Sequence, residues 1–464
     1  MNENDLMRIL GLDHADISDI RVYHDNNVLS ANITLNPREQ VCPVCSSATS
    51  KIKGYQTKTI KHSVLHNSQC VIHYRARRYI CPVCKKSFYE NNPFAYSGSS
   101  ISLATVYNVL EDLRNPSVTF TYIAQKYGIS PSSAALIFDN HVNIPRRPLG
   151  ECIAFDETYA FKSDESNYIC VLLDHESKNI IDILPSRRKA DLSDYFFNIP
   201  LEERKKVRYV SFDMWETYRI ISKQYFPEAM LIVDKFHILQ ELSRKVTRVR
   251  IDVMNTYKKT YDELHSELIA MKQKNEKLPP EKVELMYEAD KNYYLLKKFE
   301  WVLFTNMDLD PNHEKKMNHK LGVYLNLYDI YDLIINMDEN LKEAVELKER
   351  ISRFYKNETF ETAKKELEDI IIEFRTARTK EMNAFADTLV RWKKEIINSF
   401  IVIPALNGKM TNALIENRNK SIKLIKHSSN GYQNWDRFRL RCLYCLNSDT
   451  TYHLNTKIRK KGKT

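Results

Sequence analysis

At 464 residues the chain is longer than a single hydrophobic core supports, so about two to four domains are expected. Lysine and arginine outnumber aspartate and glutamate 70 to 60, a net charge of +10 that suits a polyanionic partner, and no apolar run approaches the ~18 residues of a membrane-spanning helix. Nine cysteines, four of them in two CPVC pairs, argue against a disulfide scaffold and for metal in a reducing, cytoplasmic compartment, in keeping with an N-terminus, MNENDLMRIL, that lacks the pattern of a secretory leader.

The first 95 residues predict a small β module. SANITLN, TKTIKHSVLH and QCVIHYRARRYICPVC alternate and are rich in β-branched and aromatic residues. Cys42, Cys45, Cys81 and Cys84 form two knuckles of the spacing that brings two thiolates to one Zn²⁺, and strands between them would return the second knuckle to the first. One closed, structural Zn²⁺ is expected. Cys442 and Cys445 share the spacing, but they sit in the apolar helical pattern FRLRCLYCLN, which predicts core packing. His73, Arg75 and Arg77 alternate along one strand, a face suited to phosphate contacts.

After a linker, NNPFAYSGSS, residues 100–148 predict a helix-turn-helix domain. Thr119 or Thr121 caps a helix through Tyr127, Gly128 permits a left-handed turn, and Ser130 with Pro131 starts the next helix. Ala124, Ile129, Ala135 and Ile137 are the expected inner positions. The second helix has few cations, so Ser132, Ser133 and Asn140 are its candidate base-reading residues, with Arg146 and Arg147 of the following IPRRP segment as backbone contacts.

From residue 150 the texture changes to short apolar strands, ECIAFDETYAF, YICVLLD, NIIDILP, VRYVSFD and AMLIVD, with room for helices between some of them. Asp156 and Asp213 end two of these strands, where adjacent carboxylates can share a divalent ion and serve two-metal phosphoryl transfer. Asp234 also ends a strand and competes with Asp213 for that role, while Glu157 is expected to point to the other side, behind the ligands. Residues 241–403 read as an all-α insertion, with amphipathic stretches such as LKEAVELKERISRFYKN and no glycine between Gly150 and Gly322. In the final segment, 404–450, Glu416 is an almost solitary acid among Arg418, Lys420, Lys423 and Lys426, cations whose spacing suits a helix following a phosphate strand. Residues 451–464 end in a basic tail.

IAFDETYAFK, VSFDMWETYRIISKQYFPEAMLIVDKFHILQ, NALIENRNKSIKLIK and SSNGYQNWDRFRLR resemble the DDE transposases of the ISL3 insertion-sequence family. The resemblance implies an α+β multidomain chain: zinc-binding β module, helix-turn-helix domain, and RNase H-like α/β catalytic domain split by a large all-α insertion. It implies Asp156, Asp213 and Glu416 as the catalytic triad, holding two Mg²⁺ ions for which Mn²⁺ substitutes, with Asp234 and His237 in support. It further implies binding of terminal inverted repeats and target DNA, cleavage and strand transfer without a covalent intermediate, a homodimer or higher synaptic assembly, and a cytoplasmic, nucleoid-associated site of action without a membrane. Where the family commonly has glycine after the glutamate, this chain has Asn417; the asparagine two further on is kept as Asn419. The competing readings are a DNA-binding regulator with an inactive RNase H-like domain and a nuclease that cuts without joining.

Overall fold

The computed structural model describes Met7 and residues 16–65, 68–161, 166–305 and 309–454. Most of the N-terminal stretch and, from residue 455 on, the expected basic tail lie outside the described residues. Among the described residues no helix is long and apolar enough to cross a membrane.

The N-terminal module is a twisted sheet. Strands β1 (Ile17–Asp25) and β2 (Val28–Leu35) form a hairpin whose turn places Asn26 and Asn27 at positive φ, a conformation asparagine tolerates. The small hairpin β3 (Gln40–Val41) and β4 (Ala48–Thr49) carries the first cysteine knuckle. The long strands β5 (Ile52–Leu65) and β6 (Ser68–Ile80) pair antiparallel, β6 adds parallel to β2, and β7 (Ser87–Tyr89) pairs with the end of β6 just past the second knuckle. The returning hairpin predicted between the cysteine pairs is therefore β5–β6.

The segment read as a linker is docked rather than free. Phe94 and Ala95 are buried, Phe94 packs edge-on against Tyr74 at 5.3 Å, and Ile101 bridges to Lys61 of β5. Three helices follow: α1 (Leu103–Asp112), α2 (Phe120–Tyr127) and α3 (Pro131–His141). Thr119 caps α2 by accepting from the Tyr122 amide, Gly128 ends it at φ 62°, and Ser130 caps α3 by accepting from the Ser133 amide, with Pro131 in its first turn. Ala124, Ala135 and Ile137 are buried and Ile129 is half-buried, so small residues at the crossing let α2 and α3 approach closely.

The central sheet has the order β10 (Ile180–Leu184), β9 (Ile169–Asp174), β8 (Cys152–Thr158), β11 (Tyr209–Phe212), β12 (Met230–Val233). β9 runs antiparallel to both its neighbours, β10 and β8, and the last two strands run parallel to β8. The connections carry α4 (Lys189–Phe197), α5 (Leu201–Arg204) and α6 (Glu216–Tyr225). Alternation along β8 divides the core: Ile153 and Phe155 join the cluster shared with α4, α6 and the insertion, whereas Ala154 faces the opposite layer.

The insertion begins with α7 (Lys235–Gln273), 39 residues long and buried along one stripe from Ile238 to Val253. It continues through α8 (Pro280–Lys298), α9 (Leu327–Ile335), α10 (Glu339–Asn357), α11 (Ala363–Arg375), α12 (Lys380–Arg391) and α13 (Lys393–Asn398). It is not wholly helical, contrary to the sequence reading. Strands β13 (Lys316–Asn318) and β14 (Val323–Leu325) form a hairpin, turned at Gly322 with φ 69°. Its two strands are too short and too exposed to show a periodicity.

The chain then returns through α14 (Ala413–Ser428) and α15 (Trp435–Leu446), which cover the second sheet face. Helix α15 ties the three-helix unit to the sheet. Its Arg441 donates to the Asn115 and Val118 carbonyls, both at 2.9 Å, its Tyr444 hydroxyl donates to Leu110, and its Arg437 pairs with Asp139 of α3 through both carboxylate oxygens. Cys442 is fully buried in that core, and Arg441 also donates to Cys445.

A carboxylate site at the strand ends and a four-thiol knuckle pair

The parallel register of β8 and β11 decides the geometry of the main site. Ala154 pairs with Ser211, so Asp156 and Asp213, each two residues further along, stand side by side on one face; Asp213 follows the end of β11, but Asp156 does not end β8 as expected, since the strand runs on to Thr158 paired with β9. One carboxylate oxygen from each of Asp156, Glu157 and Asp213 lies within 4.8 Å of the others, so Glu157, expected behind the ligands, stands among them. Opposite ligands of an octahedral Mg²⁺ stand ~4.2 Å apart, and the donor set is all oxygen, so the group fits a hard divalent cation after a small closure.

Helix α14 supports both aspartates. Asn419 Nδ2 donates to Asp156 Oδ2 at 2.6 Å. Asn412, fully buried just before the helix, donates through Nδ2 to Asp213 Oδ1 at 3.1 Å and accepts from the Ser211 hydroxyl at 2.6 Å. Residues 412, 416 and 419 are spaced four and three apart and so share one helix face. Glu416 therefore stands on the face whose neighbours touch both aspartates, although its carboxylate is not part of the 4.8 Å group.

Asp234 caps α7 instead. One of its oxygens accepts from the Phe236 amide at 2.9 Å and the other from the Asn412 amide at 2.8 Å, which commits both to backbone. His237, in the first turn of α7, places Nε2 2.5 Å from Asp213 Oδ1. Its pKa is raised: burial opposes the charge, but the hydrogen bond and negative charge of Asp213, with further negative charge from Asp234 and Asp156, outweigh it. The Asp156 carboxyl is pushed up to about 8, first by burial and then by the charge of Asp213. Burial also raises Glu157, opposed by its ion pair with Arg187. Acids this close together and this poorly solvated gain from a cation between them.

The four thiols of the N-terminal module meet as the spacing predicts. Cys42 Sγ lies 3.6 Å from Cys84 Sγ and Cys45 Sγ 3.4 Å from Cys81 Sγ, all four within 4.8 Å. A tetrahedral Zn²⁺ with bonds of about 2.3 Å sets its sulfurs ~3.8 Å apart, so the set fits zinc. The two knuckles repeat one backbone turn, with Ser46 and Lys85 in the left-handed region and their amides donating to the Cys42 and Cys81 carbonyls.

The sequence patterns and the site now meet. Residues 153–442 match the ISL3 DDE family described as "Transposase", and residues 38–84 match the "zinc-finger of transposase IS204/IS1001/IS1096/IS1165". The chain belongs to the ISL3 family of transposases. Within the family it is similar to the transposase for insertion sequence element IS1001 of Bordetella parapertussis, 22% identical over 293 residues that make up 63% of this chain. The match spans about 60% of that relative's length.

The remaining residues singled out for DNA divide in two. Ser132, Asn140, Arg75, Lys420 and Lys423 are exposed, and Ser133 and Lys426 are half-buried. Arg77 is not available for phosphate. It is 5% exposed, its guanidinium pairs with Glu90 at 3.3 Å, and it donates to the Leu35 carbonyl at 2.5 Å. Strand alternation alone put it beside Arg75, and the chain after β7 covers that position. Arg146 and Arg147 are likewise spent inside the chain, on Glu203 at 2.6 Å and on Asp449. Arg418 donates to the Lys178 carbonyl at 2.8 Å, which anchors α14 to the turn between β9 and β10.

The residues that hold the aspartates were less visible in sequence. Asn419 is legible as the family's kept asparagine, though not its bond to Asp156, and Asn412 could have been found from its spacing to Glu416. Arg187, beside Glu157, carries no comparable signal.

Proposed function

We propose that the chain is a metal-dependent DNA transposase that binds the terminal inverted repeats of its own element, hydrolyses a phosphodiester to free a 3′-hydroxyl, and joins that hydroxyl to target DNA. The observation that carries the reading is the placing of Asp156, within β8, beside Asp213, just past the parallel strand β11, each hydrogen-bonded by an asparagine flanking Glu416 on one helix face. The sheet order, three antiparallel strands extended by two parallel ones, supports the RNase H-like architecture that the family resemblance implies.

Asp156, Asp213 and Glu416 would hold the divalent ions, which when bound activate the attacking oxygen and stabilise the leaving one. His237 occupies one oxygen of Asp213 and so fixes that carboxylate. Asn419 does the same for Asp156. A point charge held in place by neighbours costs no reorganisation during the reaction.

The zinc module, with one structural Zn²⁺, and the α2–α3 pair, read as a helix-turn-helix, provide the DNA-end recognition in this scheme. Arg75, Ser132, Ser133 and Asn140 meet DNA there, and Lys420, Lys423 and Lys426 follow a strand beside the acids. Two element ends call for two chains, hence a synaptic homodimer or higher assembly, acting in the cytoplasm on the nucleoid. The test is incubation of the full chain and Mg²⁺ with DNA carrying the ends that flank its gene. The proposal expects nicks at the element boundary and joined products; nicks without joining would make it a nuclease, and binding without either a regulator.

A further inference from the structure

Beside the carboxylates the fold exposes two rings, flanked by cations, that the proposed chemistry does not use. Tyr159 follows β8 and Tyr168 precedes β9. The pairing of Thr158 with Ile169 sets these strand ends together, and the two rings meet edge-on at 5.7 Å. Tyr159 is 50% exposed and Tyr168 39%, and neither belongs to a hydrophobic cluster of the described residues. Arg187 lies between Tyr168 and Trp215, 4.3 Å and 4.5 Å from their ring centroids, and pairs with Glu157 of the carboxylate group. On the other flank Lys426, from the helix that carries Glu416, stands 4.5 Å from the Tyr159 ring.

Two large exposed rings flanked by cations at the edge of a phosphoryl-transfer site have a specific chemistry. Aromatic faces stack on nucleobase faces, and a lysine beside them takes the adjoining phosphate. In a duplex the base faces are covered by neighbouring pairs, so ring faces can be met only by bases out of the stack.

We propose that Tyr159 and Tyr168, with Lys426 beside them and Arg187 holding Tyr168 in place, form a stacking platform for unpaired nucleotides next to the scissile phosphate. The element end is therefore held locally unpaired during cleavage. The inference rests on the proposed DNA chemistry for its substrate, but it is read by binding alone.

The experiment measures binding of the full-length protein, with Ca²⁺ in place of Mg²⁺, to element-end DNA that is either fully paired or mismatched over a few pairs at the cleavage position. Wild type is expected to prefer the mismatched end roughly tenfold, the order of one lost base stack. Tyr159→Ala and Tyr168→Ala should each lose most of that preference, and Tyr159→Phe and Tyr168→Phe should keep it. A wild type with no preference, or alanine variants that retain it, overturns the platform. Ring-dependent preference in a protein that cuts neither DNA in Mg²⁺ leaves the platform standing and overturns the catalytic reading instead.

Discussion

Replacing Arg77 by alanine separates a structural arginine from a DNA contact on the same strand. The guanidinium is buried with Glu90, whose side chain is only 3% exposed, and it donates to the Leu35 carbonyl. Without it, Glu90 keeps two donors, the Tyr74 hydroxyl at 2.6 Å and the residue-77 amide at 2.8 Å, but no counter-charge. Removing one partner of a buried ion pair costs about 3–5 kcal/mol. In a module of this size each kcal/mol moves the midpoint by ~4–8 °C, so the zinc module should unfold about 12 °C or more below its wild-type transition. Arg75 is exposed and stacked 4.3 Å over Tyr55, so Arg75→Ala should leave the transition within about 3 °C of wild type. For a lost phosphate contact, the slope of log affinity against log salt should fall by about 0.9 in Arg75→Ala. The assay is differential scanning of the full chain paired with end-DNA binding over a salt series. An Arg77→Ala protein with the wild-type transition and a reduced salt slope would refute the buried-pair account.

Freshly purified protein should carry about one zinc per chain, and Cys42→Ser or Cys81→Ser should lose it together with end binding, since such a site contributes folding energy directly; metal analysis of wild type and variants decides this. Asn419→Ala should lower the cleavage rate about 10–100-fold, as loss of groups that orient metal ligands does, while the melting midpoint shifts by no more than a few degrees; equal rates would remove α14 from the site. His62, on β5, is buried against the start of α1, with its ring 3.0 Å from the Ser102 hydroxyl and its pKa pushed down to about 4 by burial. The unfolded chain takes up that proton near pH 6.5 and the folded one only near 4, so this contribution to stability is lost as pH falls through that window. Relative to wild type, His62→Gln should flatten the acid limb of stability measured by denaturant titration.

The sequence disclosed whatever repeats at fixed spacing. The two CPVC knuckles, the Thr119, Gly128, Ser130 and Pro131 signals and the five apolar strands each rest on a local rule, and each stands in the structure where that rule puts it. What stayed hidden depends on tertiary cover. Arg77 and Arg75 look alike on β6 until Glu90 closes over one of them, and the β13–β14 hairpin is too short to interrupt a helical pattern visibly. The choice between Asp213 and Asp234 was open because both end strands. The structure separates them by hydrogen bonding: Asp234 gives both oxygens to backbone amides, whereas Asp213 joins Asp156 and Glu157.

Whether Asp156 of β8, Asp213 after β11 and Glu416 of α14 work as one metal-binding unit on DNA is read from strand cleavage and joining of element-end DNA in Mg²⁺ by Asp156→Asn, Asp213→Asn and Glu416→Gln. Each amide keeps the shape and removes the anion. The account predicts that all three lose both reactions while binding the ends at least as well as wild type, with Asp234→Asn impaired but active. Near-normal cleavage by Asp213→Asn or by Glu416→Gln would contradict it.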